Sequence, residues 1–299
     1  MKKIILILFV FILSLSLTGC GREPDKTFLV SAICFENENG NILVTAEYIS
    51  VFDTDTKSGY SAKTAKAEDR GVEPAISRLS ASLSKPLFFE HCAVVLLVGN
   101  LTEKQTDEVF EYLEKGEIPF SSVLTFVENS SVLKAKTDSN PSVGYTLSYL
   151  LNNRAESFGY SAHIKTYEII TARKQKENIF ALPIVSLLDD KLLTEQMMVY
   201  LDDTPTLKLN SKESIFYAMA RNVYEGGRIE INNTVETLPP TKLKLDKAEE
   251  QSVTFKINLK NNGIVKELED FLNMMLKNGV NLISKREVKN ITIKGEPLN

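Results

Sequence analysis

The spacing of apolar positions changes along the chain, and each change predicts a different kind of element. Residues 27–35 and 41–52 are rich in β-branched and aromatic side chains, and the turn-forming segment 36–40 between them predicts a hairpin. Polar, Ser/Thr-rich residues 53–66 predict a loop. Apolar positions at helical spacing from residue 72 to residue 83 then predict a helix.

A βαβ unit is predicted next. The nearly continuous apolar run at residues 87–98 is typical of a strand that is covered on both faces. Thr102 and Gln105 have the spacing of a capping box at a helix N-terminus, and Gly116 ends that helix. Residues 122–127 predict the second strand. If the two strands are parallel, the connection between them should be right-handed.

The remaining chain alternates between helical and strand-forming segments. Residues 141–157 predict a helix, and the charged stretch at residues 172–178 marks the approach to a domain boundary. A helix capped by Ser211 and an amphipathic helix from Ile264 are also predicted. Strands are predicted at residues 180–188, 196–201, 206–209, 228–235, 241–245 and 253–259.

This order of elements predicts an α+β fold with mixed sheets, packed helices and a closing amphipathic helix. With 299 residues, of which 43% are hydrophobic and 25% charged, the chain is long enough for two folded domains with a sizeable core. We divide it into a signal peptide, a lipidated tether, an N-terminal α/β domain and a C-terminal α+β domain. Their predicted bounds are residues 1–19, 20–26, 27–175 and 176–299.

The first twenty residues predict export and lipid attachment. Two lysines precede an apolar stretch at residues 4–17, and Leu17-Thr18-Gly19-Cys20 has the form of a bacterial lipobox. A transmembrane helix needs about 20 apolar residues, more than this stretch contains. We therefore expect cleavage before Cys20 and a diacylglycerol or acyl lipid on its thiol. The lipid would place the protein on the extracytoplasmic face of a membrane.

The cysteines, the histidines and the net charge limit which binding and catalytic functions the sequence supports. Cys34 and Cys92 lie in apolar runs, so we expect buried free thiols, with a disulfide between them as the alternative in an oxidising compartment. His91 is interpreted as a core or strand-edge side chain, with a functional switch as the alternative, and His163 as a surface or interdomain residue. The formal net charge is −4 without a concentrated basic face, so nucleic-acid binding is not expected.

The sequence lacks the motifs of common enzymes. It contains no GxSxG, HExxH, P-loop or GxGxxG pattern and no CxxC pair for zinc. His91 and Cys92 are neighbours, and neighbours in a strand point to opposite faces, which argues against a nucleophile and base pair. The Asp-Asp pairs at 189–190 and 202–203 are interpreted as turn residues. We therefore expect no enzymatic activity, no metal and no cofactor besides the lipid.

Two segments resemble a known family. The helix from residue 72, the element Leu87-Phe88-Phe89-Glu90-His91 and the apolar strand after it resemble the N-terminal domain of the Ger(x)C family of spore germination lipoproteins. Residues 197–209, with the helix start at 211–214, resemble a hairpin of the same family. The chain departs from the family at Gly21-Arg22, where a Trp-Asp pair is usual, and at Glu90, where a glycine is usual. With its shortened C-terminal half, it resembles a divergent member.

The resemblance implies a non-enzymatic C subunit of a spore germinant receptor, lipid-anchored at the outer face of the spore inner membrane. Its implied partners are the A and B subunits, which it would scaffold for nutrient-triggered germination. Phe88, Phe89 and His91 are candidate partner-docking residues, since exposed apolar patches mark interfaces, and core packing is the alternative. The alternative function is a solute-binding lipoprotein that delivers a small nutrient to a membrane transporter, and an envelope hydrolase ranks below both.

Overall fold

The structure is a computed structural model, and its description covers most of the chain after the predicted signal peptide. The described residues are 26–54, 57–135, 137, 142–158, 164–175, 178–224, 226–231, 234–248, 252–259, 261–282 and 288–295. Strands and helices alternate along them. The combination of mixed sheets and packed helices confirms the predicted α+β class.

Fifteen strands and six helices occur in the described part of the chain. The strands are β1 (Phe28–Glu38), β2 (Asn41–Thr54), β3 (Lys57–Asp69), β4 (Leu87–Phe88), β5 (Val94–Val98), β6 (Val123–Val127), β7 (Ile164–Lys165), β8 (Ile179–Leu188), β9 (Lys191–Leu201), β10 (Thr204–Leu209), β11 (Gly227–Ile231), β12 (Thr234–Leu238), β13 (Leu243–Ala248), β14 (Ser252–Ile257) and β15 (Asn290–Gly295). The helices are α1 (Val72–Ala81), α2 (Glu103–Glu114), α3 (Val143–Phe158), α4 (Thr166–Lys174), α5 (Ser211–Ala220) and α6 (Asn262–Lys277).

One large mixed sheet organises the fold, with the strand order β10-β9-β8-β6-β5-β1-β2-β3. Its four central strands, β8, β6, β5 and β1, are parallel, and antiparallel strands flank them on both sides. The predicted βαβ unit is confirmed, because β5 and β6 are parallel neighbours joined by α2. We call the edge at which β1, β5, β6 and β8 begin the amino-terminal edge of the sheet.

Among the described residues, three two-residue turns connect neighbouring antiparallel strands. Asn39-Gly40, Asp189-Asp190 and Asp202-Asp203 all have positive φ, between 47° and 90°. Two consecutive residues with positive φ form the turn whose twist matches that of the flanking strands, and Asn, Asp and Gly tolerate this conformation best. The interpretation of the Asp-Asp pairs as turn residues is therefore confirmed.

Each face of the large sheet carries its own hydrophobic core. Helices α1, α2 and α4 cover one face, where Leu79, Phe110 and Ile169 pack on side chains such as Leu97. Helices α3, α5 and α6 pack on the other face together with the small sheets. Because a strand places successive side chains on opposite faces and both faces are covered here, β5 is apolar at every position and β6 at four of its five positions.

The C-terminal elements form a small α/β layer on the second core. Strands β13, β14 and β15 form a three-stranded sheet, and β11 pairs with β12. Helix α6 buries the predicted stripe that includes Ile264, Leu268, Phe271 and Met275, which confirms the closing amphipathic helix.

Residues 53–54 and 57–66 lie in strands, so the prediction of a loop is wrong for these described residues. Strand β2 continues to Thr54, and β3 pairs with it over its whole length. The polar composition misled the prediction because β3 is an edge strand, in which only alternate positions face the core. Ala65 and Ala67 make that core contact.

Three further predictions need correction. Residues 87–98 are not one strand, because a 3-10 turn at Phe89–His91 separates β4 from β5. Residues 228–235 contribute to two strands, β11 and β12. Helix α5 is capped by Asn210 rather than Ser211, since the Asn210 side chain accepts a hydrogen bond from the Glu213 N–H at 3.0 Å.

The sequence prediction missed α4, which contains the first residues of the charged stretch 172–178. Strands β8, β9 and β10 follow this stretch and join the same large sheet as β1 to β6. The division between domains at residues 175 and 176 stays a prediction.

Candidate functional site

The candidate site is the amino-terminal edge of the large sheet, where the chain enters the fold. Cys20, the predicted lipidation site, lies outside the described residues, as does His163. Lys26 is the first described residue, and β1 begins two residues later. The predicted tether at residues 20–26 therefore joins the fold at this edge.

Local contacts fix the start of β1. The Phe28 N–H donates a hydrogen bond to the Pro86 carbonyl at 2.9 Å. The Phe28 ring lies 4.6 Å from the Tyr48 ring, and the Lys85 ammonium lies 5.7 Å from the Phe28 ring centre. A cation this close to an aromatic face contributes about 0.5–1 kcal/mol at an exposed site. The end of the tether is thus held by neighbours from two parts of the chain, Lys85-Pro86 and Tyr48.

The structure brings Phe88, Phe89 and His91 together beside the tether. Strand β4 pairs in parallel with the first residues of β1, with Leu29 opposite Phe88. The 3-10 turn that follows places the His91 ring 5.8 Å from the Phe88 ring. Both phenylalanines are half-buried, and Phe89 packs against the core beneath α1 and α2.

His91 is exposed, so its interpretation as a core or strand-edge side chain is wrong. The reason is the 3-10 turn, which interrupts the strand and turns the ring outward. Cys92, the next residue, is buried, as expected for a thiol in an apolar run. The role of Phe88, Phe89 and His91 in docking a partner stays a prediction.

Three exposed aromatic side chains, Tyr60, Phe120 and Tyr167, lie at the same edge. Phe120 precedes β6, and the Tyr167 N–H donates to the Phe120 carbonyl at 3.0 Å. Tyr60 lies on β3 and is 69% exposed. Sequence reasoning missed this set, because its members come from three distant segments. The alternation of small and polar residues through 57–69 was the signal that could have placed Tyr60 on a strand.

A buried carboxylate on β2 holds the start of helix α3. Glu47 is 2% exposed, and its carboxylate accepts hydrogen bonds from the Ser31 hydroxyl at 2.5 Å and the Ser142 hydroxyl at 2.8 Å. It also accepts from the backbone N–H groups of Val143 at 2.7 Å and Gly144 at 2.8 Å. Those N–H groups have no partner inside the helix, and the helix dipole favours a negative charge at this position.

This arrangement ties β1, β2 and α3 together. The start of α3 lies so close to β1 that position 144 requires glycine, because a Cβ atom there would lie 2.5 Å from the Ser31 carbonyl oxygen. Sequence reasoning missed the carboxylate. The available signal was Glu47 itself, the one acid in the mainly apolar run from Ile42 to Phe52 of β2, since buried charges occur where partners satisfy them.

Arg173 on α4 contacts two other elements, α2 and the β9–β10 turn. Its guanidinium forms ion pairs with Asp107 on α2 and, at 2.9 Å, with Asp203 in the β9–β10 turn. It also lies 4.6 Å from the Phe110 ring centre. Burial raises the pKa of Asp203, and the Arg173 charge opposes that rise. The contacts fix the β9–β10 turn against the helices on this face of the sheet.

Cys34 and Cys92 are free and fully buried, one in each core. Burial is the main cause that raises the pKa of both thiols, that of Cys92 to about 12. Both thiols therefore stay protonated at neutral pH, which disfavours nucleophilic chemistry because the thiolate is the reactive form.

The described residues include neither a metal-binding cluster nor a helix that could span a membrane. No group of three or more His, Cys, Asp or Glu side chains among them could hold a metal ion. None of their helices is long and apolar enough to cross a membrane.

Comparison with known proteins gave one family match. The family model described as "Spore germination protein N-terminal domain" matches residues 21–187, more than half of the chain. No curated protein matches. A solved structure titled "Crystal Structure of the GerBC protein" is 15% identical, with 82% of this chain and 78% of that chain covered and a TM-score of 0.40.

Proposed function

This chain belongs to the Ger(x)C family of spore germination proteins, and we propose that it is a lipid-anchored, non-enzymatic subunit of a spore germinant receptor. In this role it scaffolds the membrane-embedded A and B subunits for nutrient-triggered germination. Its place is the outer face of the spore inner membrane. The observation that supports the proposal most is the family match, which begins one residue after Cys20.

The physical basis of the role is confinement next to the membrane. Each lipid methylene that enters the bilayer contributes about 0.8 kcal/mol to the free energy of membrane binding, and stable anchoring needs more than one acyl chain. A diacylglycerol on Cys20, with or without a further acyl chain, meets that requirement. Tethering raises the effective concentration of the folded part for membrane partners, so moderate contacts suffice for a stable assembly.

We place the partner contact at the amino-terminal edge, on Phe88, Phe89 and His91. These side chains lie beside the point where the tether enters, and His91 is exposed. A partner that covered Phe88 and His91 would bury an aromatic pair whose rings already contact each other. Large-to-small changes at buried interface aromatics are among the most costly for binding.

The anchor is tested by Cys20→Ser in the native host, with wild-type complementation of a deletion strain as the control. We expect loss of lipid labelling and slow or absent release of dipicolinate after nutrient addition. Normal nutrient-triggered germination of the deletion strain, without a paralogue that compensates, would contradict the proposal.

The docking face is tested separately by His91→Ala, which changes an exposed side chain and leaves the core intact. We expect less copurification of the A and B subunits while the protein stays in the membrane fraction. His91 is compared with exposed Tyr149 on α3, whose replacement by alanine should leave copurification unchanged. Equal copurification of both variants would place the docking face elsewhere.

A thermal-shift screen distinguishes the receptor subunit from a solute-binding lipoprotein. A ligand that binds the folded state at 100 times its dissociation constant stabilises it by about 2.7 kcal/mol. We expect no such shift with single nutrients. A clear shift with one small solute would favour the solute-binding function instead.

A further inference from the structure

Strands β2 and β3 extend beyond the rest of the large sheet. Strand β1 pairs with β2 only as far as Leu29 opposite Ile49. The pairing of β2 with β3 continues for five more residue pairs, from Ser50 opposite Ser61 to Thr54 opposite Lys57. We call residues 50–54 and 57–61 the arm. At about 3.3 Å per residue, the arm projects roughly 17 Å beyond the paired end of β1.

The arm projects from the end of the sheet at which the tether enters. Strand β2 is antiparallel to β1, so its last residues lie at the amino-terminal edge, where Phe28 starts β1. From Lys26 back to Cys20 there are six residues, which can span at most about 22 Å. A bilayer that holds a lipid on Cys20 therefore lies within that distance of Lys26. The arm is long enough to cover most of this gap.

The composition of this end suits a lipid surface. Tyr60 lies on the arm and is 69% exposed. Exposed Phe120 and Tyr167 lie at the same edge. Tyrosine has an apolar ring and a polar hydroxyl, so it is enriched where apolar chains meet polar headgroups. The opposite end of the sheet carries the Asn39-Gly40 and Asp189-Asp190 turns. The Asp202-Asp203 turn lies at the amino-terminal edge, on the other side of the sheet from the arm.

We propose that the arm contacts the headgroup region of the bilayer that carries the Cys20 lipid, with Tyr60 at the interface. The inference rests on the proposed function through the lipid anchor alone. A single lipid attachment restrains the distance of the fold from the bilayer but leaves its orientation free. A second contact through the arm limits how the fold can tilt, and so determines which face meets the membrane partners.

The absence of tryptophan from the sequence allows a direct test. Tyr60→Trp introduces a single fluorescent reporter on the arm, and Leu188→Trp introduces a matched one at the opposite end of the sheet. The two native side chains are similarly exposed, at 69% and 60%. Each full-length lipidated variant is reconstituted into vesicles of phosphatidylcholine and phosphatidylglycerol, with and without lipids brominated on their acyl chains.

We expect the Tyr60→Trp emission to shift to shorter wavelength in vesicles and to be quenched by brominated lipids. The Leu188→Trp emission should show neither change. Vesicle flotation in the same samples reports the anchor independently. Failure to float would overturn the anchoring in the proposed function.

Flotation without quenching of Tyr60→Trp would overturn the arm proposal and leave the anchor intact. Equal quenching of both reporters would mean adsorption without orientation, and would also overturn it. A blue shift that appears only after the A and B subunits are added, without quenching by lipid, would assign the arm to a protein partner.

Discussion

Removal of the Glu47 carboxylate should destabilise the fold more than removal of any exposed acid. In Glu47→Ala, the hydroxyls of Ser31 and Ser142 and the N–H groups of Val143 and Gly144 lose their acceptor. Each buried donor left without a partner costs about 1–3 kcal/mol, and the loss of a helix cap costs about 1 kcal/mol. Water and side-chain rearrangement recover part of this, so we expect a loss of about 3–5 kcal/mol in the free energy of unfolding.

The assay is denaturant unfolding of the purified chain, followed by far-UV circular dichroism. Glu68→Ala is the matched control, because Glu68 lies exposed on the neighbouring strand β3 and should change stability by less than about 0.5 kcal/mol. Glu47→Gln keeps the side-chain volume and one acceptor oxygen, and should fall between the two. If Glu47→Ala and Glu68→Ala lose the same free energy, the carboxylate does not hold α3 as argued.

Three further changes test other parts of the structure. Gly144→Ala should destabilise the protein by about 2 kcal/mol or more in the same unfolding assay, because its Cβ atom would lie 2.5 Å from the Ser31 carbonyl oxygen. An unchanged free energy of unfolding would contradict the close approach of α3 to β1. Arg173→Ala should lower the melting temperature by several degrees, because it removes the cation paired with half-buried Asp203 and with Asp107, and an unchanged melting temperature would show that the ion pairs contribute nothing to stability. Cys34 and Cys92 should react with a thiol reagent at pH 8 only after unfolding. Burial raises both pKa values, that of Cys92 to about 12, so the reactive thiolate is scarce at pH 8 in the native protein. Rapid labelling of the native protein would contradict their burial.

Local sequence patterns predicted a substantial part of the fold. The 3.6-residue period of α6, the capping box at Thr102 and the apolar run of β5 each predicted their own element. The Asp-Asp pairs predicted turns, since the side chains of these residues tolerate positive φ. These features depend on residues only a few positions apart in the chain, so they can be predicted from the sequence alone.

The candidate site was predicted less completely. Phe88, Phe89 and His91 do lie together beside the start of β1, but the exposure of His91 follows from a 3-10 turn that the apolar run concealed. The partners of Glu47 and of Arg173 come from segments far apart in the chain, and no local pattern relates them.

The pattern of residues in one segment reveals which of its faces is apolar, and that was enough to identify most strands and helices of this protein. The pattern does not reveal which other segment covers that face. The placement of β3 at the sheet edge, the projection of β2 and β3 past β1, and the burial of Glu47 at the start of α3 all depend on such distant partners. The local periodicity of a segment carries no information about which remote segment it pairs with. Only the tertiary structure therefore determines these features.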